Sequence, residues 1–321
     1  MAVSTALKNI HKITIPTPFA VGPVNVYVLT GDKHILVDTG PATKEAEEVL
    51  RHGLQQLQLT PEDIHTVVTT HHHPDHVGLV HLFKDAEIIG HEKMQPWLVK
   101  DQAFFDQIYA FFRPFFAQNG VPEELVNQMV TTHQAYLTYT EKTSLTRTVR
   151  EGDRIGDYTV LETPGHAQTH ISLLSKDGTL IAGDHLIAHI SSNAIIEAPY
   201  SSGENRAKTL LQYRDALLKI KDVSCVLPGH GEQIDDPTIL IQERIKQQDE
   251  KAIMFLDKLG DSELSIFELT KLVYKRLVDK QPDLTFSETL GHVELLEEQG
   301  LVEFKKDNEG IIRYKKAKAQ N

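Results

Sequence analysis

The sequence predicts an α/β fold followed by a mostly helical C-terminal part. Three observations carry that expectation. Apolar runs of strand length alternate with helical segments over the first 235 residues or so. Several of those strands end in turns that place His or Asp beside Gly. Beyond Asp236 the strand patterns give way to amphipathic helices.

In chain order, "VNVYVL" and "HILVDTG" read as strands split by the turn "TGDK". "TKEAEEVLRHGLQQLQL" has helical spacing, with Thr43 as N-cap and Pro61 beyond its end. "IHTVVTT" reads as a buried strand running into a histidine-rich stretch, "HVGLVHLFKD" as a short helix and "AEIIGH" as another strand. Residues 95 to about 140 interrupt the pattern with a helical, aromatic insertion: six of the twelve phenylalanines lie in 104–116. This segment is expected to pack on the core or to cap an apolar pocket. Strands resume at "TSLTRTV", "YTVLETPGH", "ISLLSKDGTLIAGD" and "VSCVLPGHG".

After Asp236 come a long helix, "PTILIQERIKQQDEKAIMFLDKLG", two more at "SIFELTKLVYKRL" and "TFSETLGHVELLEEQG", and a hairpin around "DNEG". Thr285 or Ser287 is expected to cap the last helix. Helix, helix, helix, hairpin is the order of a winged-helix domain, so the chain divides into 1–235 and 236–321, with the long helix as a bridge.

The 321 residues suffice for about two domains. The net charge of −12 argues against general affinity for nucleic acid or anionic membranes. The single cysteine, Cys225, forms no internal disulfide and reads as a small buried residue. With no export signal in "MAVSTALKNIHKITIPTP" and no apolar run long enough to span a bilayer, a cytoplasmic setting is expected.

The chemistry concentrates in "TTHHHPDHVG", residues 69–78. His71 and His73, two apart, can turn to one cation; His72 between them points elsewhere. Asp75 and His76 follow Pro74 and can serve a neighbouring cation. His166 in "TPGHA", Asp184 in "AGDH" and His230 in "LPGHG" bring the set to five imidazoles and two carboxylates. Imidazole and carboxylate are ordinary ligands of zinc, and of iron or manganese. Two metals sharing one carboxylate and one water would use all seven. Gly165, Gly183, Gly229 and Gly231 beside them permit close backbone approach.

Taken together, "THHHPDH", "TPGHA", "AGDH" and "LPGHGE", in this order, resemble the metallo-β-lactamase superfamily. The resemblance implies an αββα sandwich of two sheets with helices outside. It implies that His71, His73 and His166 hold one metal, that Asp75, His76 and His230 hold a second, that Asp184 bridges, and that Asp38 in "LVDTG" supports the metal loop. The implied cofactors are two divalent ions, zinc first. The implied reaction is hydrolysis by a metal-bridging hydroxide, with Asp184 in the catalytic centre and Asp75 accepting or relaying the proton.

The triplet "THHH" is similar to glyoxalase II, but the "GCGRxFEG" run found there after the bridging Asp is replaced by "HLIAHISSNAIIEAP". Acyl-homoserine lactonases carry a tyrosine three residues past that Asp, where this chain has Ile187; Tyr200 is the candidate substitute. The whole chain looks like members with a C-terminal winged helix, a group that includes an endoribonuclease. The segment 286–300, in the recognition-helix position, carries Glu288, Glu294, Glu297 and Glu298 without Lys or Arg, a poor surface for phosphates. The expected substrate is therefore a small acyl ester, thioester or lactone with an apolar part. His170, His185, His189, Asn193 and Tyr200 are candidate polar anchors. The alternative is a nucleic-acid-processing phosphodiesterase or endoribonuclease that uses the winged helix. Neither nucleic acid nor membrane is expected as a partner, and the C-terminal part is free to wall the cleft, pack on the sandwich or form a homodimer.

Overall fold

Alternating apolar residues and tight turns build two sheets, each from consecutive strands. The computed structural model describes residues 9–201 and 203–318; the reading of the N-terminal segment as lacking an export signal falls in part on residues outside these. The first sheet orders β1 (Ile10–Ile15), β2 (Val24–Leu29), β3 (His34–Val37), β4 (Ile64–Val68), β5 (Glu87–His91) and β6 (Arg147–Val149). The second orders β7 (Arg154–Ile155), β8 (Tyr158–Glu162), β9 (Ile171–Leu174), β10 (Thr179–Gly183), β11 (Cys225–Pro228) and β12 (Ile234–Asp235) in the same sequential way. β3 to β6 run parallel, as do β10 and β11, so their C-terminal ends gather on one rim.

The inner faces of the two sheets meet in a core that includes Tyr27, Val68, Ile89, Val160, Ile171, Ile181 and Leu227. The outer face of the first sheet is covered by α1 (Lys44–Gln56), whose Leu50 and Leu54 are fully buried. Each such leucine contributes about 2 kcal/mol by leaving water. As expected, the Thr43 hydroxyl caps α1, accepting from the Ala46 N–H at 3.1 Å. The outer face of the second sheet carries α6 (Thr209–Lys219) and the C-terminal helices. The result is the expected helix–sheet–sheet–helix layering.

The "HVGLVHLFKD" helix differs from expectation. A short α2 (Pro74–Val77) starts inside the histidine stretch, and only a single tight turn, Val80–Leu82, follows. Pro74 occupies the first helical position, where its fixed φ suits a helix and its missing N–H is not needed.

The aromatic insertion forms α3 (Gln95–Leu98), α4 (Gln102–Gln118) and α5 (Glu123–Tyr136). Its phenylalanines divide: Phe104 and Phe105 pack with Trp97, while Phe115 and Phe116 meet Phe286 of the C-terminal region.

That region comprises α7 (Thr238–Leu259), α8 (Ile266–Tyr274), α9 (Leu277–Lys280), α10 (Pro282–Glu298) and the hairpin of β13 (Val302–Lys306) and β14 (Ile312–Lys316). α10 begins at Pro282, so Thr285 and Ser287 lie within the helix and do not cap it; the Thr285 hydroxyl donates back to the Gln281 carbonyl at 2.8 Å. Twelve of the seventeen α10 residues are buried. Its acidic side chains pair internally: Glu294 with Arg206, Glu297 with Lys208 at 3.0 Å, and Glu288 with Lys251. No helix among the described residues is long and apolar enough to cross a membrane.

Candidate functional site

Strands β4, β8, β10 and β11 deliver their turns to one rim of the sandwich, and the seven sequence-predicted residues converge there. His71 Nε2 and His166 Nε2 lie 2.9 and 3.0 Å from His73 Nδ1. A tetrahedral ion with bonds of 2.0–2.1 Å to nitrogen spaces its ligands by about 3.3 Å, so this trio is close to the required size. A second trio joins Asp75, His76 and His230, with His230 Nε2 at 3.3 Å from Asp75 Oδ2. Asp184 lies between the trios. Its oxygens are 3.3 Å from His76 Nε2, 3.4 Å from His230 Nε2 and 3.6 Å from His166 Nε2. A Cβ on Gly229 would collide with Asp184 Oδ1, so only glycine fits beside it.

The outer nitrogens of these imidazoles are occupied, which turns the others inward. His76 Nδ1 meets Asp38 Oδ2 at 2.7 Å, His166 Nδ1 the Asn193 carbonyl at 2.9 Å, and His230 Nδ1 the Pro23 carbonyl at 2.8 Å. Asp38, at φ 60°, also accepts from the Thr70 N–H and hydroxyl, both at 2.8 Å, so it holds the start of the histidine loop and its end together.

The electrostatics differ between the trios. Burial, then the neighbouring imidazoles, hold His71 and His73 well below the usual histidine range. Burial likewise lowers His166. Both effects favour the neutral imidazole, the form that binds a metal. At His76 and His230 burial acts in the same sense, but the charges of Asp184 and its carboxylate neighbours outweigh it. His76 is held well above the usual range and His230 is pushed up to about 10. Asp184 is correspondingly held well below the carboxylate range by His230 and His76, against the effect of its burial. Among the described residues, His76 Nε2, His230 Nε2 and Asp184 Oδ1 are buried without well-aligned hydrogen bonds, and the two nitrogens crowd the Asp184 carboxylate at 3.3 and 3.4 Å. Such a cluster of inward-facing imidazoles and two carboxylates fits a cation.

The other sequence-predicted residues have different surroundings. His72 turns away, meeting Thr169 Oγ1 at 2.9 Å and stacking on Trp97 with ring centroids 3.9 Å apart. His170 Nε2 accepts from the Asp184 N–H at 3.1 Å, so it braces Asp184 and is no substrate anchor. His185 is fully buried against Tyr213, and Asn193 acts through its carbonyl. His189 is exposed, with its ring against Gly231. Tyr200 is not free to meet a substrate carbonyl: its hydroxyl donates to Glu197 and accepts from the Trp97 N–H, both at 2.8 Å. Cys225 is buried, and burial pushes its thiol up to about 11, which suits packing and not nucleophilic attack.

Sequence reasoning missed Glu197, Trp97 and Arg244. Glu197 accepts from the Gln168 N–H at 2.6 Å, and burial pushes it up to about 7. The Arg244 guanidinium reaches in from α7 and donates to the carbonyls of Ile187, Ala188 and Ile190 at 3.3, 2.9 and 3.1 Å. The one advance signal was an arginine on the apolar side of a long helix.

The pattern of the metallo-β-lactamase superfamily matches residues 20–230. The chain belongs to that superfamily. It is 38% identical over 297 residues to a probable metallo-hydrolase, YqjP, of Bacillus subtilis, covering 90% of this chain and 92% of that one. A solved metallo-β-lactamase family protein of Thermus thermophilus superposes with a TM-score of 0.78 at 28% identity, covering 96% of this chain and 99% of that one. An atrochrysone carboxyl ACP thioesterase of Aspergillus fumigatus is 25% identical over 237 residues, 72% of this chain and 58% of that one. With its His/Asp cluster, this superfamily member is a metal-dependent hydrolase.

Proposed function

We propose that the protein binds two divalent cations, zinc first, and hydrolyses a small acyl ester, thioester or lactone with an apolar part. His71, His73 and His166 would hold one cation and Asp75, His76 and His230 the other, with the Asp184 carboxylate within reach of both sets. The observation that carries this reading is the convergence of five imidazoles on the carboxylates of Asp75 and Asp184, in groups whose ligand atoms lie within 4.8 Å of one another. When bound, the cations supply an acidified water and a Lewis acid for the scissile carbonyl.

The chain supplies orientation and proton handling. Asp38 and the carbonyls of Pro23 and Asn193 fix which nitrogen of His76, His230 and His166 faces the centre. Asp75 accepts the proton of the attacking water on its carboxylate and returns it to the leaving oxygen or sulfur. Fully buried His71 and His76 line the inner wall and exclude bulk water behind the nucleophile. The order α8, α9, α10, β13, β14 supports reading 236–321 as a winged-helix-like unit. The burial of α10 and the internal pairing of Glu288, Glu294 and Glu297 favour a role in packing over phosphate recognition. A small acyl substrate also accords with the thioesterase relative.

The test is a hydrolysis panel of thioesters, esters, lactones, phosphodiesters and RNA on protein of measured metal content. Two cations per chain and turnover of an acyl compound are expected. Turnover confined to phosphodiesters or RNA, or a single cation at full activity, sinks the reading.

A further inference from the structure

His72 belongs to neither donor trio, yet it is buried and held on two sides. Its ring stacks on Trp97 of α3, with centroids 3.9 Å apart and planes 17° apart. Its Nδ1 meets the Thr169 hydroxyl at 2.9 Å, and the same hydroxyl accepts from the His72 N–H at 3.2 Å. Phe104 and Phe105 of α4 set their edges against Trp97 from the far side, with centroids 5.2 and 5.6 Å away. The aromatic insertion therefore presses on the metal loop through one ring.

From Trp97 a chain of hydrogen bonds leads back to the same place. The indole N–H donates to the Tyr200 hydroxyl at 2.8 Å, and that hydroxyl donates to Glu197 Oε2 at 2.8 Å. Glu197 Oε1 accepts from the Gln168 N–H at 2.6 Å. Gln168 is the chain neighbour of Thr169, so the contacts close into a circuit: His72, Trp97, Tyr200, Glu197, Gln168, Thr169 and His72 again. Five of the six are more than nine-tenths buried; Tyr200 is half-buried. Water cannot readily replace a partner lost from such a circuit, so each link constrains the next.

The circuit reaches one trio and not the other. His72 stands between His71 and His73, and Gln168 and Thr169 follow His166 by two and three residues. Those three histidines are the first trio. Among the described residues, no member of the circuit hydrogen-bonds to or stacks on Asp75, His76 or His230; His76 and His230 take their orientation from Asp38 and the Pro23 carbonyl. We propose, resting on the two-cation reading, that Trp97 and Tyr200 are positioning residues for the first cation alone, and that the aromatic insertion acts on the metal centre through them. Trp97 keeps the His72 ring turned away, which fixes the backbone from which His71 and His73 face inward. The Glu197 carboxylate holds the loop of His166 against that backbone. With the circuit open, ligands from two loops must lose freedom when a cation binds, and affinity falls.

The experiment titrates metal-stripped, full-length protein with Zn2+ against a chelating dye, in two backgrounds. His230→Ala leaves the first trio complete, and His166→Ala leaves the second complete. Trp97→Phe keeps a ring for His72 but removes the N–H, and Tyr200→Phe removes the hydroxyl that joins Trp97 to Glu197. Each is expected to weaken the cation about two- to tenfold in the His230→Ala background and to leave it unchanged in the His166→Ala background. Because both open the same link, the double variant should be no weaker than the weaker single one. Trp97→Ala, which also removes the stack, should reach about 10- to 100-fold in the His230→Ala background alone. Should Trp97→Ala fail to fold, the two conservative variants decide. Equal weakening in both backgrounds, as a general loss of packing would give, overturns the proposal. So does no weakening in the His230→Ala background, or effects that add in the double variant. An unmodified protein that takes up a single cation overturns the two-cation reading, and the His230→Ala background still reports whether Trp97 acts on the first trio.

Discussion

The segments 69–78 and 184–200 both border the donor cluster, and they are held in different ways. The first is fastened by the sheet it leaves: Asp38, at the end of the neighbouring strand β3, bonds Thr70 and His76, and Pro74 starts a helix within the loop. The second is fastened from outside the sandwich. Arg244 of α7 grips the carbonyls of Ile187, Ala188 and Ile190, and the Ser287 hydroxyl of α10 accepts from the Ile196 N–H at 3.3 Å. Between those grips lies the Asn193 carbonyl that orients His166. The difference teaches that the C-terminal region is a brace for half of the site, and that damage to the two segments should have different signatures.

The largest effect is expected where the segments meet. Asp184→Ala should lower hydrolysis by at least about 10²–10³-fold and release metal, measured by turnover and elemental analysis. Retention of both cations with full turnover would remove Asp184 from the site. Next comes the self-contained segment. Asp38→Ala should weaken metal affinity about 10- to 100-fold by freeing His76, read by competition with a chelating dye. The braced segment should respond in stability first. Arg244→Met leaves three carbonyls without their charged donor and should cost about 2–3 kcal/mol in denaturant unfolding, with a smaller loss of metal affinity. If Arg244→Met weakened metal as much as Asp38→Ala while leaving stability intact, the contrast between the segments would be broken.

The narrowest effect, confined to a pH window, concerns Glu197 at the edge of the braced segment. Its carboxyl is raised in the fold from an ordinary 4.5 to about 7. Between those values the folded protein holds a proton that the unfolded chain has released. The stability so gained is present below about pH 4.5 and is lost as pH rises through 7. Glu197→Gln should therefore gain on the unmodified protein, by about 2–3 kcal/mol, as unfolding is measured from pH 5 to pH 8. A constant difference across that range would show that Glu197 does not titrate there.

The same contrast separates what the sequence disclosed from what it did not. The convergence of the seven residues was legible because each motif is short and local: His71 and His73 alternate, and Asp184 and His230 each stand beside glycine. Thr43 was legible as a cap for the same reason. Arg244 was not, because its partners lie 54 to 57 residues away and offer only backbone carbonyls, which leave no mark in side-chain type. The start of α10 was misplaced at Thr285 although Pro282 is itself an N-terminal signal; the hydroxyls of Thr285 and Ser287 looked like caps but bond within the helix or across to Ile196. The aromatic run 104–116 was legible as packing, but its partners, Trp97 for Phe104 and Phe105 and Phe286 for Phe115 and Phe116, were not.

The sequential order of the two sheets has one more consequence. Strands β1 to β6 end by residue 149 and β7 to β12 begin at residue 154, so the sandwich is two consecutive half-chains laid face to face. Both outer donor trios draw from both halves: His71 and His73 with His166, and Asp75 and His76 with His230. A cation in either trio would then act as a cross-link, tying the first half to the second much as a disulfide would in an oxidising compartment. At a hundredfold excess over its dissociation constant, such a ligand adds about 2.7 kcal/mol to folding. During synthesis the second trio cannot close until the ribosome has passed His230, so full metal capture would mark the moment at which the two halves have found each other.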